Sequence, residues 1–458
     1  MRPLLLLNVV GLTPHLLGAG MPRLARFADK GAARSLVPPL PAVTCTVQAS
    51  MLTGLTPAGH GAVANGWYFR DLSEVLFWRQ SNRLITGEWV WEAARRINPA
   101  FRCAQLFWWF NMYATADITV TPRPMYPADG RKIPDLYTRP PELREALQRR
   151  FGQFPLFHFW GPAADIRSSR WIANCALDVF QREKPTLTLV YLPHLDYDLQ
   201  RFGPNDPRIG RALGEIDEVA GELIAAAERS GAAVIVLSEY GITPVDAAVF
   251  PNRRLRQAGL LTVREEMGRE LLDAGASAAF AVCDHQLAHV YVQPPATIAA
   301  VRDALVDLDG VAEILDADGK RAAGLDHPRA GELVLISRSD RWFAYPYWLD
   351  DRRAPDFART VDIHRKPGYD PVELFLDPAL LAPRLAVAWR LLQRKLGFRT
   401  LMDVISLDTR LVRGSHGRRP DDFETGPLLI SSEPDRLPAG PLPATAVKDL
   451  ILAHLFGA

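Results

Sequence analysis

Thr44 is the first residue in a setting that could do chemistry. It follows Pro38, Pro39 and Pro41, and each proline fixes its own φ and biases the preceding residue away from the helical region. The spacing then predicts a helix over Thr44–Thr53, stopped at Gly54. A hydroxyl in the first turn sits among unpaired backbone N–H groups at the positive dipole end. That position holds an anion or stabilises a nascent alkoxide, and it equally suits a plain N-cap. Further along, the apolar run Thr186–Leu192 ends in Pro193-His194-Leu195-Asp196-Tyr197-Asp198-Leu199-Gln200. An imidazole and two carboxylates at the carboxyl end of a strand are candidate metal ligands, with a solvated polar loop as the alternative. A second apolar run, Ala233–Leu237, presents Glu239 and Tyr240 at its end. His416 lies in Gly414-Ser415-His416-Gly417, where glycines let backbone come close to a ligand. His364-Arg365-Lys366 offers cations to a phosphate, or forms a solvated basic face.

These residues need a scaffold, and the apolar patterning supplies one. Strand-like runs at Leu4–Val10, Ala32–Val37, Thr186–Leu192 and Ala233–Leu237 alternate with helical stretches at Pro22–Gly31, Trp171–Glu183 and Ile209–Arg229. Such alternation predicts an α/β fold: a doubly wound, mostly parallel sheet with helices on both faces. The expected organisation is a first part of the core over 1–66, an aromatic-rich insertion over 67–170, a second core part over 171–244, a mixed cap over 245–410, and a C-terminal core part over 411–458. Trp78, Trp89 and Trp108-Trp109 are expected at a pocket rim. His60 reads as a residue that holds a turn, and His285 and His289 as packing residues.

Composition sets the outer limits. The chain has 458 residues, 48% of them hydrophobic, enough for a large core in two or three units. Lys plus Arg (53) balances Asp plus Glu (52), so no global field points to duplex nucleic acid, and phosphate recognition must be local. The four cysteines show no CxxC spacing, which argues against a zinc knuckle or disulfide framework and fits a cytoplasmic protein. No run of apolar residues is long enough to span a bilayer.

In order and spacing, several of these motifs resemble the alkaline phosphatase superfamily. They are the first strand ending in Gly11-Leu12, Pro41-x-x-Thr44, Leu52-Thr53-Gly54-Leu55-Thr56-Pro57, Gly59-His60-Gly61, Tyr191-Leu192-Pro193-His194-Leu195-Asp196, Ser238-x-Tyr240-Gly241-Ile242-Thr243 and Ser415-His416-Gly417. The nearest branch is the nucleotide pyrophosphatase/phosphodiesterase family, with phosphonoacetate hydrolase as a cousin. The resemblance implies two divalent metals beside a Thr nucleophile and in-line displacement at phosphorus. Thr44 matches the nucleophile, Asp196 a metal ligand and His416 the final ligand. Asn8 or Val10 lies where a first-strand Asp is expected, Gln200 where a His is expected, and Glu239-Tyr240 where an Asp-His pair is expected. The implied ligands are thus Asp196, Glu239 and His416, with Asn8, Gln200, Asp198 and His194 as weaker ones, for Zn²⁺, Mn²⁺ or Mg²⁺. Gln48, Tyr240 and His364 are the expected contacts to a small phosphorylated substrate.

Val10 cannot bind a metal, amides are weak donors, and a phenol is protonated near neutral pH. Three outcomes follow for the centre: a remodelled single-ion site, a site rebuilt with His364 or the Asp284-His285 pair, or a pocket that binds without cleaving. The expected activity is metal-dependent hydrolysis of a phosphodiester or pyrophosphate. The alternative is an impaired relative that binds a small phosphorylated or aromatic metabolite.

Overall fold

The local signals translate directly into elements. In the computed structural model, which describes residues 1–294 and 296–457, the strands that matter here are Leu4–Val9 (β1), Ala32–Val37 (β2), Cys103–Leu106 (β3), Ile118–Pro122 (β4), Leu136–Arg139 (β5), Leu187–Leu192 (β6), Ala233–Leu237 (β7), Ala279–Asp284 (β8), Leu287–Val292 (β9), Val311–Leu315 (β10), Leu333–Ser337 (β11), Leu428–Ser431 (β12) and Leu442–Pro443 (β13). The helices are Pro22–Lys30 (α1), Thr44–Thr53 (α2), Ile166–Glu183 (α3), His194–Phe202 (α4), Gly210–Arg229 (α5) and Pro383–Lys395 (α6).

Among the described residues, nine strands form one sheet in the order β13-β2-β12-β7-β1-β6-β3-β4-β5. Its centre is parallel: β1 pairs with β6 and β7, and β3 pairs with β6 and β4. The near-continuous apolar sequences of β1, β6 and β7 are what a sheet covered on both faces requires, and all three are buried throughout. A second, antiparallel sheet, β8-β9-β11-β10, carries its own apolar core with Phe280, Tyr291, Tyr347 and Trp348.

Three features differ from the sequence expectation. The segment 67–170, expected as an insertion, contributes β3, β4 and β5 to the main sheet. Its aromatics disguise strands of only four or five residues, too short to show a period. Helix α3 starts at Ile166 rather than Trp171, because the Asp165 carboxylate accepts from the Arg167 N–H and caps the extra turn. The residues after β6 form helix α4 instead of a polar loop. Asp196 and Gln200 face a buried polar cluster, His194 and Asp198 pair with charged neighbours, and Leu195 and Leu199 pack into the main core.

Candidate functional site

The carboxyl ends of β1, β6 and β7 lie side by side, because these strands are parallel neighbours. That topology gathers polar residues from distant parts of the chain at one edge, as expected for an open α/β sheet. Asn8 comes from β1. Asp196 and Gln200, four residues apart on α4, share one helix face, and the Gln200 amide donates to Asp196 at 2.7 Å. Glu239 and Tyr240 follow β7, while His416 follows a short strand, Gly414–Ser415, that pairs with Thr243–Pro244. Gly11 makes the tight turn after β1 with φ 79°, and a Cβ there would lie 2.9 Å from Leu199 of α4.

Thr44 opens α2, as the proline-held approach predicts, and the N-cap residue Val43 lends no side-chain bond. The Cys45 N–H donates to Asn65 Oδ1 at 3.0 Å, and Asp284 accepts from both the Asn65 backbone N–H and its amide. The Tyr240 hydroxyl lies 3.3 Å from Thr44 Oγ1 and donates to Asp196 Oδ1 at 3.2 Å. Its ring stacks on His416 with centroids 3.5 Å apart. Glu239 Oε1 accepts from Asn8 Nδ2 at 2.6 Å and from Gln48 Nε2, while Gln48 Oε1 accepts from the Trp109 N–H at 2.7 Å. Gln48 thereby ties β7, α2 and the aromatic segment together.

Burial decides the charge state of this cluster. It pushes the Asp196 carboxyl up to about 7 and that of Glu239 up to about 8, and it drives the His416 imidazole down to about 3. The Tyr240 phenol is raised well above its ordinary value, again by burial first and by the two carboxylates second. At neutral pH His416 is therefore uncharged, Glu239 mostly protonated and Asp196 near the midpoint of its titration.

Thr44, Asp196 and Tyr240 form the floor of a cavity of about 1280 Å³. Trp78, Trp109, Trp160 and Tyr369 stand on its walls, with Lys132 and Arg394 among its cationic lining and His364, whose imidazole burial pushes down, beside them. Trp78 and His285 hold left-handed backbone, φ 60° and 58°. Bulky residues persist there only when their surroundings fix them, and such residues concentrate at ligand sites. His285 is sandwiched between the rings of Tyr369 and His416, at 3.7 and 3.6 Å.

Of the site residues read from the sequence, Thr44, Gln48, Asp196, Gln200, Glu239, Tyr240, His416 and Asn8 come together, and His364 stands on the cavity wall. Asp198 and His194 do not join them. Asp198 pairs with Arg201 and Arg211, and His194 with Glu215 of α5, because they occupy the other faces of α4. Trp89 and Trp108, expected at the rim, are core residues instead, whereas Trp78 and Trp109 line the cavity. Asn65, Tyr369 and Lys132 have no sequence signal that marks them. His285, read as packing, had one: like Glu239-Tyr240, the Asp284-His285 pair closes an apolar strand.

The donor set does not fit the two-metal centre that the resemblance implies. Val10 offers no lone pair, and both ends of Gln200 are engaged, by Asp196 and by the Tyr369 hydroxyl at 3.0 Å. The phenol of Tyr240 lies against Asp196 and Thr44, between the two half-sites. His416 donates its Nδ1–H to the Ala42 carbonyl at 2.8 Å, which leaves Nε2 unpartnered 4.0 Å from Asp196. Asp196 and His416 on one side, and Glu239 Oε2 with Asn8 Oδ1, both unpartnered, on the other, each supply two donors, short of the three protein ligands of a catalytic zinc. Among the described residues no group of three or more His, Cys, Asp or Glu side chains is arranged to hold an ion. The rebuilt alternative fares no better, since Asp284 is spent on Asn65.

Comparison with known proteins agrees with the fold. The sequence matches the type I phosphodiesterase/nucleotide pyrophosphatase family over residues 4–370, most of its length. The chain belongs to this family. An uncharacterised pyrophosphatase/phosphodiesterase of Schizosaccharomyces pombe is 28% identical over 220 residues, 46% of this chain and 38% of that protein. The chain thus matches well under half the length of that relative. Phosphonoacetate hydrolase from Sinorhizobium meliloti 1021, solved with phosphonoformate, has the same fold with a TM-score of 0.63 at 15% identity, over 99% of this chain and 96% of the hydrolase. Murine ectonucleotide pyrophosphatase/phosphodiesterase 5, in an inactive form bound to AMP, gives 0.61 at 13% identity, over 100% and 95%. Membership fixes the alkaline phosphatase-like α/β architecture and a lineage of phosphoester hydrolases. Among the described residues no helix is long and apolar enough to cross a membrane.

Proposed function

We propose that this chain is a family member that binds a small phosphorylated metabolite without two-metal hydrolysis. One observation carries the reading: the Tyr240 hydroxyl bridges Thr44 and Asp196 while its ring covers His416. A phenol there links the reacting hydroxyl of the family pattern to a carboxylate that burial keeps near neutrality. The anionic part of the ligand is supported by Lys132, whose ammonium is pushed down by burial and which forms no ion pair among the described residues. Trp78 and Tyr369, edge to face at 6.0 Å, supply a stacking wall for a ring. AMP, the ligand held by the murine relative, is the natural first probe.

A second reading, metal-assisted hydrolysis with Thr44 as nucleophile, is favoured by Thr44 itself, a hydroxyl at a helix start on the cavity floor. One experiment separates the two. AMP binding is measured calorimetrically on protein stripped with a chelator, for the natural chain, Thr44→Ala and Lys132→Gln. In parallel, turnover of a chromogenic phosphodiester is followed with Zn²⁺, Mn²⁺ or Mg²⁺ restored. Under the binding reading, affinity survives both the chelator and Thr44→Ala, drops about tenfold in Lys132→Gln, and no metal brings turnover. Metal-restored turnover that vanishes in Thr44→Ala overturns it in favour of hydrolysis.

A further inference from the structure

Helix α6 roofs the large cavity. The chain from Asp377 to Val404 leaves and returns at one point, where the Asp377 N–H donates to the Val404 carbonyl at 2.8 Å and Leu376 bridges Ile405. No residue of α6 is buried, yet Val387, Leu391, Arg394 and Lys395 line the cavity, as does Arg399 just beyond the helix. Thr44, Asp196 and Tyr240, at the carboxyl edge of the main sheet, form the opposite end. At about 1280 Å³ the space between exceeds the roughly 300–1,000 Å³ of pockets for drug-sized ligands. Leu391, Leu401 and Phe157 are 54%, 42% and 54% exposed although they line it. An apolar body lying there would take that surface out of water.

Charge gives this space a direction. Among the described residues, seven Lys or Arg and three Asp side chains line the cavity. At the floor neither Asp196 nor Glu239 has a Lys or Arg as ion-pair partner among the described residues, and the side chains that act on the Asp196 carboxyl are Gln200 and Tyr240. An anion bound there would meet carboxyls and no cation, and an uncompensated buried charge is strongly unfavourable. Under the roof the balance is reversed. Arg390 pairs with Asp403 at 2.9 Å, whereas among the described residues Arg394, Lys395 and Arg399 form no ion pair. Arg394 donates to the Thr400 carbonyl at 2.9 Å. Arg399 donates to the Ala128 carbonyl at 3.0 Å, which sets the loop leading to Lys132 against the end of α6. Of the acids in the lining, Asp129 pairs with Arg131, and Asp362 lies in the field of Lys132. Two guanidinium groups and an ammonium gathered in this way suit an anionic head group.

We infer that the ligand of this cavity is an elongated amphipathic anion whose head group lies under α6 among Arg394, Lys395 and Arg399. Its apolar body runs inward to the aromatic walls, so the anion sits at the end of the cavity away from Thr44. The inference rests on the binding reading above and adds to it the length and direction of the ligand. The test is calorimetry on the full chain with hexyl, octyl and decyl phosphate, each below its aggregation concentration, and with decanoate, decanol and AMP beside them. Affinity for the alkyl phosphates rises about tenfold for every two methylenes. Lys395→Gln/Arg399→Gln weakens decyl phosphate about tenfold and leaves decanol as in the natural chain. The single charge reversal Lys395→Glu, at an exposed position, does the same. Decanoate beside decyl phosphate tells a carboxylate head from a phosphate, and a preference for either upholds the class. An affinity that is flat along the series and no better than that for AMP overturns the inference and leaves the binding reading standing, whereas binding of none of these anions overturns both. Decyl phosphate held as tightly by both variants overturns it as well. So does an equal loss of decanol, because those side chains would then serve packing rather than charge.

Discussion

Replacing Tyr240 by Phe removes one oxygen and leaves the ring on His416, so no cavity opens and the hydroxyl is tested alone. Two bonds are lost, one to Asp196 at 3.2 Å and one with Thr44 at 3.3 Å. What the first is worth depends on the charge of Asp196. Its carboxyl is raised from 3.8 to about 7, so between these pH values the folded chain keeps a proton that the unfolded chain has released. Stability consequently falls as pH rises through that window, and above about 7 the folded chain holds a buried carboxylate that the phenol helps to carry. Below the window's upper end the lost bond is neutral and costs about 1 kcal/mol, whereas above it the bond is charge-assisted and costs about 2–3 kcal/mol. Guanidinium unfolding of Tyr240→Phe and the natural chain at pH 5.5 and 8.5, followed by fluorescence and circular dichroism with coincident transitions, reads the difference. A loss that is the same at both pH values refutes the charge assignment of Asp196. A loss below about 0.3 kcal/mol at both, the noise of such comparisons, refutes the hydroxyl bridge itself.

Buried neutral imidazoles, His60 and His289 as well as His416, oppose folding in acid. His60, held by Ser50 Oγ at 2.9 Å and by the Ala62 N–H, is lowered by burial from 6.5 to about 3, and His289 to about 4. Below pH 6.5 the unfolded chain gains protons that the folded chain refuses, so each imidazole costs up to about 1.4 kcal/mol per pH unit down to its folded value. Raised Asp196 and Glu239 contribute the opposite slope between pH 7 and pH 4.5, so the measure is the difference in unfolding midpoints between the natural chain and His60→Gln, which should change by one such slope over this range; an unchanged difference counts against the assignment. Lys366 is buried with its ammonium 2.7 Å from Asp370 and 2.8 Å from Glu373. Lys366→Met strands two acids, and a loss of about 3–5 kcal/mol is expected at neutral pH; a loss under about 1 kcal/mol would refute the view that Lys366 carries the buried charge of this cluster.

Much of the scaffold was legible because its signals are local. The prolines before Thr44 and the glycine at 54 bound α2 at Thr44 and Thr53, and Gly54 adopts the left-handed C-cap that only such a residue takes easily. The strand-like runs expected at Ala32–Val37 and Ala233–Leu237 coincide with β2 and β7 residue for residue. The candidate site was legible as a set of strand ends, since Asp196, Glu239 and His416 each follow an apolar run or a glycine pair. Faces were not. His194, Asp196 and Asp198 look alike in sequence, and only the helix they turned out to share separates Asp196 from the other two.

By itself, then, the sequence determined the bounds of α2, β2 and β7 and which polar residues stand at strand ends. It also carried a ligand pattern broken at Val10, Gln200, Glu239 and Tyr240. The tertiary structure decided what those substitutions do. Sheet order brings His416 to the carbonyl of Ala42, 374 residues away, and sets Tyr240 between Thr44 and Asp196. Protonation was settled there too, because desolvation depends on neighbours from every part of the chain.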